Sequence, residues 1–171
     1  VTRGVVQIPM VGGTIAFGYN KPGCNLKLTQ EKAVKVAMGM IKDWKELGCK
    51  PGTLTWVHRS DGSGTTKAFT NSMQAFSTTW TLGTGKSVKW PAGVGAKGNS
   101  GVAGLIQNRE GAIGYVNQSY IKGKVVAAAL QNKSGEFLQP SVAAGAKALN
   151  GISLDKDLAG RNPNPTAKGA Y

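Results

Sequence analysis

Amphipathic helical segments and short apolar segments alternate along this chain, which predicts an α/β fold: a central mixed β-sheet flanked by helices. Three observations carry that expectation. Phe69, Met73, Phe76 and Trp80 recur at spacings of four, three and four, as in a helix that buries one stripe. Leu54–Val57, Ala112–Val116 and Val125–Leu130 are apolar runs of strand length. Gly and Pro punctuate the junctions, and no repeat of about 20–50 residues substitutes a solenoid for the alternation.

In chain order, Val5–Tyr19 is apolar and glycine-punctuated, with Ile8, Val11, Ile15 and Phe17 suited to extended structure. Pro22-Gly23 marks a turn. Glu31–Trp44 reads as a helix with Thr29 at its N-cap and Val34, Met38 and Ile41 on one face; Gly48 and Pro51-Gly52 end it. Leu54–Val57 is a short strand, and Thr65–Trp80 is the clearest helix. Thr81–Asn99 is rich in Gly and Lys and reads as loop, with Val88–Trp90 a short strand within it. Ser100–Asn108 follows as a short helix capped by Asn99 or Ser100. Ala112–Val116 and Val125–Leu130 are strands separated by a helical turn at Gln118–Ile121. Pro140, as a first helical residue, starts a helix over Ser141–Leu149, and beyond Gly160 the prolines 163 and 165 limit helix formation.

The 171 residues suit one compact α/β domain, residues 1–171, with a buried core. No apolar run approaches the ~20 residues of a membrane-spanning helix. No basic-then-apolar leader opens the sequence and its first residue is Val, so the chain reads as a mature or excised segment. The formal net charge of +13 comes mostly from scattered lysines. Nucleic-acid binding is one reading of such a charge. A solvated surface that attracts anions through its long-range field is the other. The second is favoured, because the chain has no dense Lys/Arg run and no arginine–aromatic pattern for base stacking. Two cysteines and one histidine lack the paired spacing of a metal site. Gly83-Thr84-Gly85-Lys86-Ser87 ends like a phosphate-binding loop of nucleotide-dependent enzymes, but Trp80 stands where its leading glycine belongs.

The richest chemistry lies in Trp56-Val57-His58-Arg59-Ser60-Asp61-Gly62-Ser63-Gly64-Thr65-Thr66. An apolar strand runs into an arginine and an aspartate, then a Gly-Ser-Gly turn, then hydroxyl residues that open a helix. Glycines let the backbone curl so that N–H groups converge, and a helix N-terminus adds partial positive charge. Ser63, Thr65 and Thr66 offer O–H donors, and Arg59 offers a planar two-pronged donor suited to a tetrahedral anion. The ligand expected is a small oxyanion, phosphate first. Asp61 would hold the Arg59 fork in register. Lys67 and Thr66, a turn into the helix, tune the field, and His58 is given no role.

Arg59-Ser60-Asp61-Gly62-Ser63-Gly64-Thr65-Thr66 resembles the phosphate-binding signature of the periplasmic phosphate-binding proteins (PstS type) of ABC importers. Gly39-Met40-Ile41-Lys42-Asp43-Trp44, Val88–Gly95, Lys97–Gly101 and Gly111-Ala112-Ile113-Gly114-Tyr115-Val116 resemble further family segments in family order, from about Gln7 to Gln131. The resemblance implies a lobe of a type II periplasmic-binding-protein fold, here the second lobe, with the first absent and with it an acidic residue and further donors. It implies phosphate contacts from Arg59, Ser63, Gly64 and Thr65, support of Arg59 by Asp61, no catalysis and no cofactor. It also implies a periplasmic location and an ABC permease as partner of the complete protein, with no nucleic acid bound. A cleft face left exposed makes self-association reasonable. The even cysteine count in a protein resembling this family implies a Cys24–Cys49 disulfide, stabilising by roughly 3 kcal/mol in the chain-entropy model; two buried free thiols are the other reading. The glycine-rich segment Gly93–Gly101, which in isolation could be a second anion nest, becomes a structural loop near the cleft.

Two rivals remain. Besides a basic nucleic-acid-binding domain, a serine hydrolase is conceivable. Gly98-Asn99-Ser100-Gly101 resembles the serine loop of chymotrypsin-like proteases, and His58 with Asp61 or Asp43 could complete a triad. The alternation of helices with strands argues against that all-β class.

Overall fold

The computed structural model describes residue 8, residues 10–154, residue 160 and residues 162–171. The first residues of the Val5–Tyr19 segment therefore lie outside the described part. Of the remainder only Ile15–Asn20 forms a strand (β1), while Met10 and Val11 are exposed. The elements that follow are β2 (Lys27–Leu28), α1 (Gln30–Ala37), a 3-10 turn (Trp44–Leu47), β3 (Thr55–Arg59), α2 (Gly64–Phe76), β4 (Val94–Ala96) and α3 (Gly98–Asn108). Then come β5 (Ala112–Asn117), a 3-10 turn (Gln118–Tyr120), β6 (Val126–Ala127), β7 (Ala129–Gln131), β8 (Phe137–Leu138) and α4 (Val142–Leu149).

A five-stranded mixed sheet, ordered β4-β3-β5-β1-β6, forms the centre. β3 runs parallel to β4 and β5, whereas β1 is antiparallel to β5 and β6. A small second sheet joins β2, β7 and β8. The two-residue pleat sorts β5 between two cores: Ile113 and Tyr115 face one side, Ala112 and Val116 the other. Phe17, Tyr19, Trp56, α1 and the Phe69/Met73 stripe of α2 fill the first side; Val102 and Ile106 of α3 close on the second. A strand buried on both faces reads as a continuous apolar run, and Ala112–Val116 does.

Several element boundaries depart from the sequence expectation. The expected Glu31–Trp44 helix stops at Ala37, where the Gly39 N–H bonds the Val36 carbonyl and the Met40 N–H bonds that of Lys35, a Schellman ending with Gly39 at φ 68°. Trp44 instead opens a 3-10 turn that Asp43 and Glu46 close as a capping box, and its indole donates to the Gly111 carbonyl at 3.0 Å. The second helix ends at Phe76 rather than Trp80, because Ser77 turns extended and the Ser77 and Thr79 hydroxyls both donate to Glu31 of α1. Trp80 still reaches the core from the loop.

Val88–Trp90 is not a strand: Pro91 interrupts it, and the edge strand forms three residues later as β4. Val125–Leu130 divides into β6 and β7, which belong to different sheets. The α3 cap is Lys97 and supplies no side-chain bond, since the Asn99 amide oxygen accepts the Asn117 N–H at 3.0 Å instead. Ser141 caps α4, so Pro140 lies before the cap rather than in the first turn. Cys24 and Cys49 form a disulfide with a Cα–Cα distance of 5.4 Å, tying the turn after β1 to the end of the first 3-10 turn.

Candidate functional site

β3 delivers Arg59 to the carboxyl end of the sheet, beside Ala96 of β4. The chain reverses at Ser60, so Asp61 returns against the guanidinium. Arg59 Nε and Nη2 donate to Asp61 Oδ1 and Oδ2, each at 2.6 Å, a two-pronged charged pair. The Arg59 side chain is 10 % exposed and that of Asp61 30 %, so the pair sits largely out of water. Asp61 Oδ1 also accepts the Gly98 N–H at 3.1 Å. The Arg59 guanidinium, aided by that N–H, holds the Asp61 carboxyl well below the usual carboxylate range, and Asp61 in turn raises Arg59. One edge of the guanidinium is thus fixed, and among the described residues the opposite edge, Nη1 with the second Nη2–H, has no partner and keeps its donors for another anion.

α2 starts at Gly64, five residues after Arg59. Ser63 is extended and buried, and its Oγ accepts the Thr66 N–H at 3.2 Å, an N-cap. The Ser63 N–H is committed to the Lys86 carbonyl at 2.8 Å. Ser63 therefore has only its hydroxyl hydrogen to offer outward. The Gly64 and Thr65 N–H groups, in the first turn, have no carbonyl four residues back within the helix to accept them.

The signature glycines act differently from expectation. Neither Gly62 nor Gly64 has a positive φ, so neither is needed to curl the backbone. A Cβ built on either meets nothing within 4 Å. They leave open space in front of the helix start, which suits close approach of a ligand to backbone. Gly98, by contrast, does adopt a left-handed conformation, at φ 71°, and gives its N–H to Asp61.

Behind the pair lies Tyr115, which sequence reasoning gave no role. Its phenol oxygen accepts the Arg59 backbone N–H at 3.2 Å and shares a 2.6 Å bond with the buried Thr66 hydroxyl. The available signal was a lone phenol in an otherwise apolar strand, since a buried tyrosine oxygen needs a partner. Thr66 is accordingly tied to the interior. His58 stacks on Trp90 with ring centroids 5.1 Å apart, and its Nδ1 bonds the Arg59 carbonyl oxygen at 3.1 Å. Burial pushes the His58 pKa down, which favours the neutral ring. Asp43 accepts the N–H groups of Lys45 and Gly52. Among the described residues no hydrogen bond joins Ser100, His58 and either aspartate into a relay. A separate hollow of about 570 Å³, walled by Phe17, Met73, Phe76, Leu149 and Tyr171, contains none of Arg59, Asp61, Ser63, Gly64 or Thr65.

Comparison with known proteins adds an independent line. The family described as the PBP superfamily domain matches residues 1–171. A phosphate-binding protein PstS from Pasteurella multocida is 42% identical over 153 residues, covering 80% of this chain and 44% of the relative. A phosphate-binding protein PstS from Xylella fastidiosa is 37% identical over 186 residues, covering 98% of this chain and 51% of the relative. The fold is shared with an ABC-type phosphate transport receptor from Vibrio cholerae, at 20% identity and a TM-score of 0.63 over 81% of this chain and 51% of that one. The chain thus spans about half the length of the relatives it matches.

Proposed function

Because the chain belongs to the PBP superfamily along its whole length, we propose that it captures inorganic phosphate for ABC-type phosphate import, without catalysis. The observation that carries this reading is the Arg59 guanidinium, pinned on one edge by Asp61 and left with a free edge beside the start of α2. The free Arg59 edge, the Ser63 hydroxyl and the Gly64 and Thr65 N–H groups replace the water shell of the bound anion. The donors this lobe contributes are already held in place, so little ordering cost falls on them.

Residues 1–171 in this reading are the second α/β lobe, which supplies about half of the binding shell, and the first lobe completes it. Phosphate needs no cofactor here: the donors are main-chain N–H groups, hydroxyls and one guanidinium. An acidic acceptor on the first lobe would select phosphate, which still carries a proton at neutral pH, over sulfate, which does not. Lobe closure presents the loaded protein to a membrane permease. The Cys24–Cys49 disulfide supports an oxidising compartment, the periplasm.

Calorimetric titration tests the reading. The intact chain is expected to bind phosphate, with weak discrimination against sulfate, and Arg59→Ala is expected to abolish binding while circular dichroism is unchanged. Undiminished binding by Arg59→Ala would remove the site from this corner. A moderate response to salt is expected, because directional bonds to one orthophosphate release few counterions, whereas duplex DNA binding would weaken steeply.

A further inference from the structure

We propose that Tyr115 is a positioning residue for the oxyanion site, its phenol locking the end of β3 to the first turn of α2 so that Arg59 and the Gly64 and Thr65 N–H groups keep a fixed separation. The proposal rests on the phosphate reading above and adds to it a residue that would never touch the ligand.

The geometry is specific. The β3–β5 ladder closes at Val57↔Gly114, and in strand geometry the Arg59 N–H, two residues on, points the same way as that of Val57. It has run past the main-chain pairing and takes the Tyr115 phenol as acceptor instead. The phenol has one hydrogen of its own. The Arg59 N–H donates to the phenol oxygen, and the phenol and the Thr66 hydroxyl share one further bond in which either can donate, so a single oxygen joins the end of β3 to the first turn of α2. Burial raises the Tyr115 pKa, so the phenol stays protonated and neutral.

The ring is braced as well. It stacks on Phe69 with centroids 4.3 Å apart and planes at 13°. Phe69 lies three residues after Thr66 and so on the same face of α2. One side chain on the central strand therefore grips α2 at two successive points and β3 at a third. Both arms of the site are referred to the same rigid, fully buried group.

The test compares Tyr115→Phe, which keeps the ring stack and removes the oxygen, with Thr66→Val, the double variant and Arg59→Ala. Phosphate affinity is read by calorimetry and the Arg59 amide by hydrogen exchange. Tyr115→Phe is expected to weaken phosphate by about tenfold and to speed Arg59 N–H exchange by a similar factor, with the Phe17 and Ile113 amides unmoved. Thr66→Val is expected to cost less, and the double variant to bind no worse than Tyr115→Phe alone. That non-additivity is a signature that general loss of stability does not produce. Affinity within twofold of the intact chain in Tyr115→Phe, with Arg59→Ala inactive, would overturn the positioning role and leave the site standing. Absence of phosphate binding by the intact chain, or full binding by Arg59→Ala, would overturn the phosphate reading and this proposal with it.

Discussion

Two helices, α2 and α3, begin at the same corner of the sheet, each on a glycine just after a parallel strand, and their first turns are satisfied in opposite ways. At α2 the protein supplies its own cap, Ser63, which takes the Thr66 N–H and leaves those of Gly64 and Thr65 with no carbonyl four residues back in the helix. At α3 the N-cap residue, Lys97, supplies no side-chain bond, and the Gly98 N–H is given instead to the Asp61 carboxylate. The positive end of α3 thus already holds an anion, and that anion belongs to the protein. The positive end of α2 lies beside the arginine this same aspartate orients. Two glycine-rich loops that could each, in isolation, form an anion nest differ here because the Gly98 N–H is taken by Asp61 from within.

The contrast can be broken at its shared residues. Arg59→Ala should have the largest effect, weakening phosphate by at least ~100-fold in calorimetry, because a desolvated charged donor is removed. Asp61→Asn comes next: affinity should fall by about tenfold as the guanidinium loses its two-pronged anchor, and the α3 start loses its anion. The same variant has a pH signature in melting experiments. The Asp61 pKa is lowered in the folded protein, so its stabilisation is fully present above the unfolded value near ~4 and fades as pH falls toward the folded one. The melting difference between Asp61→Asn and the intact chain should therefore hold through neutral pH and shrink only in stronger acid.

Two glycines sharpen the comparison with smaller effects of opposite sign. Gly98→Ala forces a side chain into a left-handed conformation and should destabilise by about 1–2 kcal/mol in denaturant unfolding. Gly64→Ala meets no neighbour and no unfavourable φ, so it should stabilise by roughly 0.4–1 kcal/mol while costing a few-fold in phosphate affinity.

Much of this was legible in the residues. The Phe69/Met73 stripe fixed which face of α2 packs inward, and the Arg59–Thr66 run named the corner, because strand, turn and helix start are all local patterns. Three kinds of feature were not legible. Trp80 looked helical by spacing, yet Glu31, far away in sequence, draws Ser77 and Thr79 out of the helix. β2 and β8 are two residues each, too short for any period to show. Tyr115 and Gly98 matter through partners 56 and 37 residues away, Arg59 and Asp61, and a pairing across such a separation leaves no trace in spacing. The signature glycines were found for the wrong physical reason: their value is the room they leave, not the curvature they permit.

The most direct test is a phosphate titration followed in the ¹H–¹⁵N spectrum of the chain. If α2 is the open helix start and α3 the occupied one, the Gly64 and Thr65 amides and the Arg59 guanidinium should shift together and saturably, while the Asn99 and Ser100 amides stay nearly still. Shifts centred on Asn99 and Ser100, with Gly64 and Thr65 unmoved, would contradict the account.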